Sequence, residues 1–215
     1  MYKSYFQFIE DPISSYTHFI GAVISFFISL FWIICGVYLQ TNFITLLSII
    51  LFGLSLISLY AASSYYHTLS HNNTRHMLFR KLDHSMIYVL IVGSYTPFIV
   101  AYSNSSLLVV TIMWILALIG IIIKVCWFNA PRWLYTSLYI ILGWSIIFMP
   151  SIFVNMPSIC LLLVALGGIA YTIGGIIYII KKPNLICNWT FHDIFHIFIL
   201  VGSLFHILAV SLYIL

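Results

Sequence analysis

Seven runs of roughly twenty apolar residues, parted by short polar breaks, constrain this chain more than any other feature. A helix needs about 20 such residues to cross the hydrocarbon core of a bilayer. The runs fall at about 18–39, 43–66, 82–102, 106–123, 133–149, 158–180 and 191–215. The expected fold is an all-α integral membrane protein, a single seven-transmembrane-helix bundle over residues 1–215. Composition points the same way, since 63% of the residues are apolar and only 6% charged, against about a quarter charged in a water-soluble domain. Aromatic residues, at 18%, suit lipid-facing helices with interfacial belts. A net charge of +4, thinly spread, gives no nucleic-acid footprint.

The breaks fix topology. Met1 to Thr17 is a polar lead-in with Glu10, Asp11 and Pro12, lacking the apolar core of a removable signal peptide, so the first span is expected to stay. Gln40-Thr41-Asn42 separates the first two spans, and a polar loop from His67 to Lys81 the next two. Pro97 is expected to kink the third span, Pro150 to Pro157 to form a short loop, and Lys181-Lys182-Pro183-Asn184 to lead toward the last span. With the N-terminus in the cytoplasm, Lys3, Arg75, Arg80, Lys81, Lys124, Arg132, Lys181 and Lys182 all lie inside, and the outer loops hold no Lys or Arg. That is a positive-inside pattern, and it places the C-terminus outside. Gly167-Gly168 and Gly174-Gly175 read as close-packing positions. Cys35, Cys126, Cys160 and Cys187 are scattered singly and read as apolar filler.

Polar residues inside such a chain demand a reason, because each costs several kcal/mol unless paired or hydrated. His192 and His196, in the stretch His192-Asp193-Ile194-Phe195-His196, stand four residues apart and so share one helical face, the spacing by which a helix offers two nitrogens to one metal ion. His67 closes the second span in the same inner layer, Asp83 opens the third and His18 the first; all four acids, Glu10, Asp11, Asp83 and Asp193, lie there too. Three histidines with an open fourth position are a catalytic zinc ligand set, in which the metal acidifies water. Asp83 is the candidate general base, or else it fixes a ligand imidazole, and Ser63 lies one turn before His67 on its face. Each has a plainer reading. The histidine pair could be interfacial, His67 could contact headgroups, Asp83 could cap its helix and Ser63 could be a small packing residue. Their meeting in one layer lifts the set above those readings. His206 lies on the order of 15 Å beyond His196 along the axis, too far for the same ion, and is expected to be buried and hydrogen-bonded. His71 and His76 are expected in a solvated loop, and His84 points about 100° away from Asp83.

These residues carry a resemblance. Ser63-Ser64-Tyr65-Tyr66-His67 resembles the SxxxH motif in the second helix of the progestin and adiponectin receptor superfamily. Lys81-Leu82-Asp83 looks like its third-helix aspartate motif, and His192 through His196, followed by His206, is similar to its seventh-helix pattern. The compact size and the lead-in from Glu10 to Gly21, with Thr17-His18, look like the bacterial hemolysin III branch. The resemblance spans nearly the whole chain. It implies a multi-pass protein of the bacterial cytoplasmic membrane, with Zn²⁺ held by His67, His192 and His196 and with Asp83 and Ser63 supporting or performing catalysis. Alkaline ceramidases in the wider superfamily imply hydrolysis of a lipid amide.

Three functions follow as expectations. One is a zinc-dependent hydrolase of a membrane-lipid amide or ester, in which Asp83 moves the proton. Another is a pore or haemolytic channel, although spans free of charge outside the inner layer offer no evident polar lining. The last is a receptor-like membrane protein in which zinc only staples helices together.

Overall fold

A computed structural model describes residues 9–184 and 189–215. Among them there are only helices: α1 (Pro12–Tyr38), α2 (Phe43–Thr68), α3 (His76–Tyr102), α4 (Ser106–Cys126), α5 (Arg132–Trp144), a 3₁₀ turn over Ser145–Phe148, α6 (Pro150–Asn155), α7 (Ser158–Ile180) and α8 (Phe191–Tyr213). Six are long and apolar enough to cross a membrane, which makes this an all-α, multi-pass membrane protein. Their outward faces agree, with Phe27 at 62% and Phe31 at 55% exposure, apolar surface that lipid would cover.

Local chemistry sets the helix limits, and it moves several expected boundaries. The first helix begins at Pro12 rather than near His18, because proline at the first helical position has a preset φ and needs no N–H partner. His18 thereby lies in the second turn. The polar loop shortens to residues 69–75: α2 runs on to Thr68 and α3 starts at His76, where Asn73 Oδ1 accepts the Arg75 N–H at 2.8 Å to close the turn. His76 is therefore a helical residue, half-buried rather than solvated in a loop. Asn42 caps α2 by accepting the Ile44 N–H at 2.9 Å. Lys181 ends α7 in the left-handed conformation, at φ 61°. Helix α3 continues through Pro97.

The fifth apolar run differs most from expectation. Its α-helix stops at Trp144, the 3₁₀ turn carries the chain to Phe148, and Pro150 then starts the six-residue α6 where a loop was expected. Pro150 explains the break, since it disfavours helical backbone at the preceding residue, and Met149 sits at φ −117°, ψ 71°. Arg132 Nη1 at the start of α5 donates to the Tyr178 carbonyl near the end of α7 at 3.2 Å. Asn155 Nδ2 at the end of α6 donates to the Tyr102 carbonyl at the end of α3 at 3.0 Å. The α5–α6 segment thus travels from one end of the bundle to the other.

Close packing holds α7 against α8. A side chain at Gly167 would collide with the His206 ring, and one at Gly174 would approach Phe198 Cβ to 2.9 Å, so these glycines do permit intimate approach. The first and last helices also meet and run parallel: Ser14 Oγ donates to Asp193 Oδ1 at 2.7 Å and Trp32 Nε1 to Ser211 Oγ at 2.8 Å, both across 179 residues of sequence. That pairing brings the start of α8 against the start of α1. Cys35, Cys126 and Cys160 are free thiols, whereas Cys187 and Lys3 lie outside the described residues.

Candidate metal centre

Two helix ends build the site. His67 ends α2 and is 3% exposed, while His196, in the second turn of α8, is 2% exposed and His192, one turn earlier, is half-buried. One nitrogen from each of the three rings lies within 4.8 Å of the other two, close enough to hold a metal ion. His67 Nε2 and His192 Nε2 face each other at 3.2 Å. Facing lone pairs repel unless a proton or a cation lies between them. Tetrahedral bonds of about 2.0–2.1 Å to a metal such as zinc set ligand nitrogens about 3.3 Å apart, so the spacing fits such an ion. His196 Nδ1 is buried with no hydrogen-bond partner among the described residues.

The rings are held from outside the trio. Asp11 clasps His67 twice: its backbone N–H donates to the His67 carbonyl at 3.1 Å, and its carboxylate accepts from His67 Nδ1 at 2.9 Å. A proton fixed on Nδ1 leaves Nε2 with its lone pair free, the usual way a carboxylate prepares a histidine ligand. In return, the hydrogen bond from His67 holds the Asp11 carboxyl below the usual carboxylate range. Helix α8 is aimed by a capping box in which Thr190 Oγ1 and N–H both reach Asp193 Oδ2 at 2.8 Å, while Ser14 takes the other carboxylate oxygen. His18 stacks on His196 with ring centroids 3.8 Å apart. Neither nitrogen of His18 has a hydrogen-bond partner among the described residues.

Beyond the histidines the bundle opens into a cavity of about 90 Å³. A buried water needs roughly 10–15 Å³ on this measure, so there is room for several waters or a length of hydrocarbon chain. His18, His192 and His196 border the cavity together with Asp83 and Ser63, and the wall then turns apolar through Leu59, Leu90, Ile91 and Ile199. Asp83 is 9% exposed. The Ser63 hydroxyl is buried beside the Asp83 carboxyl and faces the same space.

The expected site residues His67, His192, His196, Asp83 and Ser63 thus gather at one end of the bundle. His206 stays apart, fully buried, its Nδ1 donating to the Gly202 carbonyl at 3.0 Å and its ring stacked on Tyr171. His71 and His76 pair with each other at 3.0 Å near the surface, and Glu10 lies 3.5 Å from His71. His84 is buried on the cavity wall with Nδ1 unpartnered. Sequence reasoning missed the roles of Asp11, Ser14 and His18 against the ligands. Their one signal was an acid, a serine and a histidine spaced through a segment entering the bilayer, which by itself reads equally well as a helix start.

Comparison with known proteins finds relatives over most of the chain. Residues 6–207 match the model of a family described as Haemolysin-III related. The chain is 33% identical over 213 residues to the Hemolysin-3 of Bacillus cereus, covering 97% of this chain and 94% of that protein. It is 34% identical over 144 residues to the Hemolysin-3 homolog of Bacillus subtilis (strain 168), covering 66% of this chain and 67% of that protein.

Proposed function

The chain belongs to the Haemolysin-III related family, and from that premise we propose a zinc-dependent hydrolase that cleaves an amide or ester of a membrane lipid at the histidine end of the cavity. Three imidazoles converging where a buried, largely apolar cavity meets an acid and a buried hydroxyl carry this reading. A metal ion held by His67, His192 and His196 would supply Lewis acidity and lower the pKa of a coordinated water. Asp83 takes the proton from attacking water and returns it to the leaving nitrogen or oxygen, since a general base must sit beside the proton it moves. Ser63 donates its hydroxyl to a substrate oxygen. Asp11 and Asp193 set the rings and the helix start, and the apolar wall excludes water while taking up the acyl chain.

The same proposal includes topology. We read a single domain with seven crossings, the N-terminus in the cytoplasm and the C-terminus outside, in the bacterial cytoplasmic membrane. The parallel run of α1 and α8 supports an odd number of crossings. At about 1.5 Å per α residue and 2.0 Å per 3₁₀ residue, Arg132–Phe148 extends roughly 28 Å, near the thickness of the hydrocarbon core. The basic residues at the histidine end support reading that end as the inner one.

The test is metal analysis of purified protein, followed by hydrolysis of a panel of lipid amides and esters. Wild type should carry about one zinc per chain and His192→Ala little. Asp83→Asn should lose turnover while keeping metal and fold. Asp83→Asn with wild-type turnover overturns the catalytic reading, and metal-free wild type overturns the zinc.

A further inference from the structure

The same end of the bundle holds a second group of residues that the proposed hydrolysis does not use. Arg80, Lys81 and Lys124 surround the Phe128 ring, their charged groups 5.1, 5.7 and 4.7 Å from its centroid. Lys124 Nζ also lies 3.4 Å over the Tyr135 ring. Aromatic faces attract cations but do not neutralise them. Among the described residues no carboxylate comes within 4.0 Å of any lysine or arginine, and Asp83, three residues beyond Arg80, makes no ion pair with it. Most such cations at a membrane surface extend outward to headgroups. Lys124 does not, being 3% exposed and having, among the described residues, one hydrogen bond, a long one of 3.4 Å to the Phe128 carbonyl. A buried charge without a counter-charge is strongly disfavoured.

A second observation points to what is missing. His84 Nδ1 and Thr136 Oγ1 are both buried without a hydrogen-bond partner, and both border the cavity. The His84 ring packs edge-on against Phe128 and Tyr135, the same rings that hold Lys124. His84 thus joins the cavity lining to the rings that hold the buried ammonium, with an arginine one turn before it, and Thr136 adds a second idle polar atom on the cavity lining; these groups offer donors for an anion with several oxygens.

We propose that this corner between α3, α4 and α5 binds the phosphate of an anionic membrane lipid, whose acyl chain follows the apolar wall. Arg80 and Lys124 supply charge, and His84 and Thr136 supply directed hydrogen bonds. The inference narrows the substrate class of the hydrolase reading and rests on it for catalytic meaning, but binding can be measured without turnover.

The experiment uses full-length protein in detergent as it is purified and follows its thermal midpoint against added short-chain lipid. Dioctanoyl phosphatidate should raise the midpoint saturably, while dioctanoylglycerol and inorganic phosphate at equal concentration should not. Lys124→Gln and Thr136→Val should each weaken the apparent affinity about tenfold, the scale of a lost charged hydrogen bond. Arg80→Gln, at a less buried position, gives the same reading if Lys124→Gln does not fold. Equal stabilisation by dioctanoylglycerol, equal stabilisation by inorganic phosphate, or unchanged affinity in the folded variants overturns the proposal. Because the readout is binding and not turnover, those outcomes leave the hydrolase reading standing, and loss of hydrolysis leaves this one standing.

Discussion

Removing the Asp11 carboxylate tests how the metal centre is prepared. In Asp11→Ala the backbone bond to the His67 carbonyl can remain, but the acceptor 2.9 Å from His67 Nδ1 is gone. No cap is lost with it, because the Asp11 side chain makes no capping bond to α1. Such outer partners of a ligating histidine are typically worth 10–100-fold in metal affinity. The Asp11 side chain is 52% exposed, so water can replace part of what it provides, and the expected loss is at the lower end, about tenfold or 1.4 kcal/mol. Asp11→Asn keeps an acceptor without the charge and should fall between wild type and Ala. The folded-state pKa of Asp11 is depressed, so its contribution is complete above the ordinary carboxylate range and is lost only as pH falls through the lowered value. The gap between wild type and Ala should therefore persist from about pH 8 to pH 5. The assay is zinc competition against a chromophoric chelator, with His67→Ala as the reference for a lost ligand. Unchanged affinity in Asp11→Ala, beside a large loss in His67→Ala, would refute the reasoning.

Other expectations follow from single contacts. Ser63→Ala should lower kcat on a cleavable lipid while zinc content stays at the wild-type level; equal loss of both would make Ser63 a packing residue. Gly202→Ala puts a Cβ 2.5 Å from the Tyr171 ring and should lower thermal stability by about 1–3 kcal/mol, measured as a midpoint shift in detergent. His206→Ala should destabilise without altering metal content, because that ring bonds within α8 and not to the trio. Purified protein in liposomes should carry no ion flux at high density; conductance there would favour the pore over the hydrolase.

Much of the bundle could be read along the chain because a bilayer leaves few choices: in lipid an apolar run must satisfy its own backbone polar groups, which a helix does. Spacing of four along a helix placed His192 and His196 on one face, and depth counting put His67 and Asp83 in their layer. The fifth run was harder, since apolar length alone could not say that Pro150 would break the helix and leave a short α-helix with a 3₁₀ extension. Helix starts at Pro12 and His76 were missed because polar residues at a bilayer surface fit a helix as well as a loop.

The sequence alone determined helical class and membrane residence, and the order of the polar groups along each helix, all of which depend on local hydrophobicity and rise per residue. Only tertiary structure decided which of those groups meet. Asp11 on His67, Ser14 on Asp193, His18 on His196 and Lys124 among Phe128 and Tyr135 are contacts between different helices or their connecting segments, set by how the helices rotate and lean. Depth is a one-dimensional property that a chain records in order, whereas rotation about the bundle axis is settled by packing every helix at once.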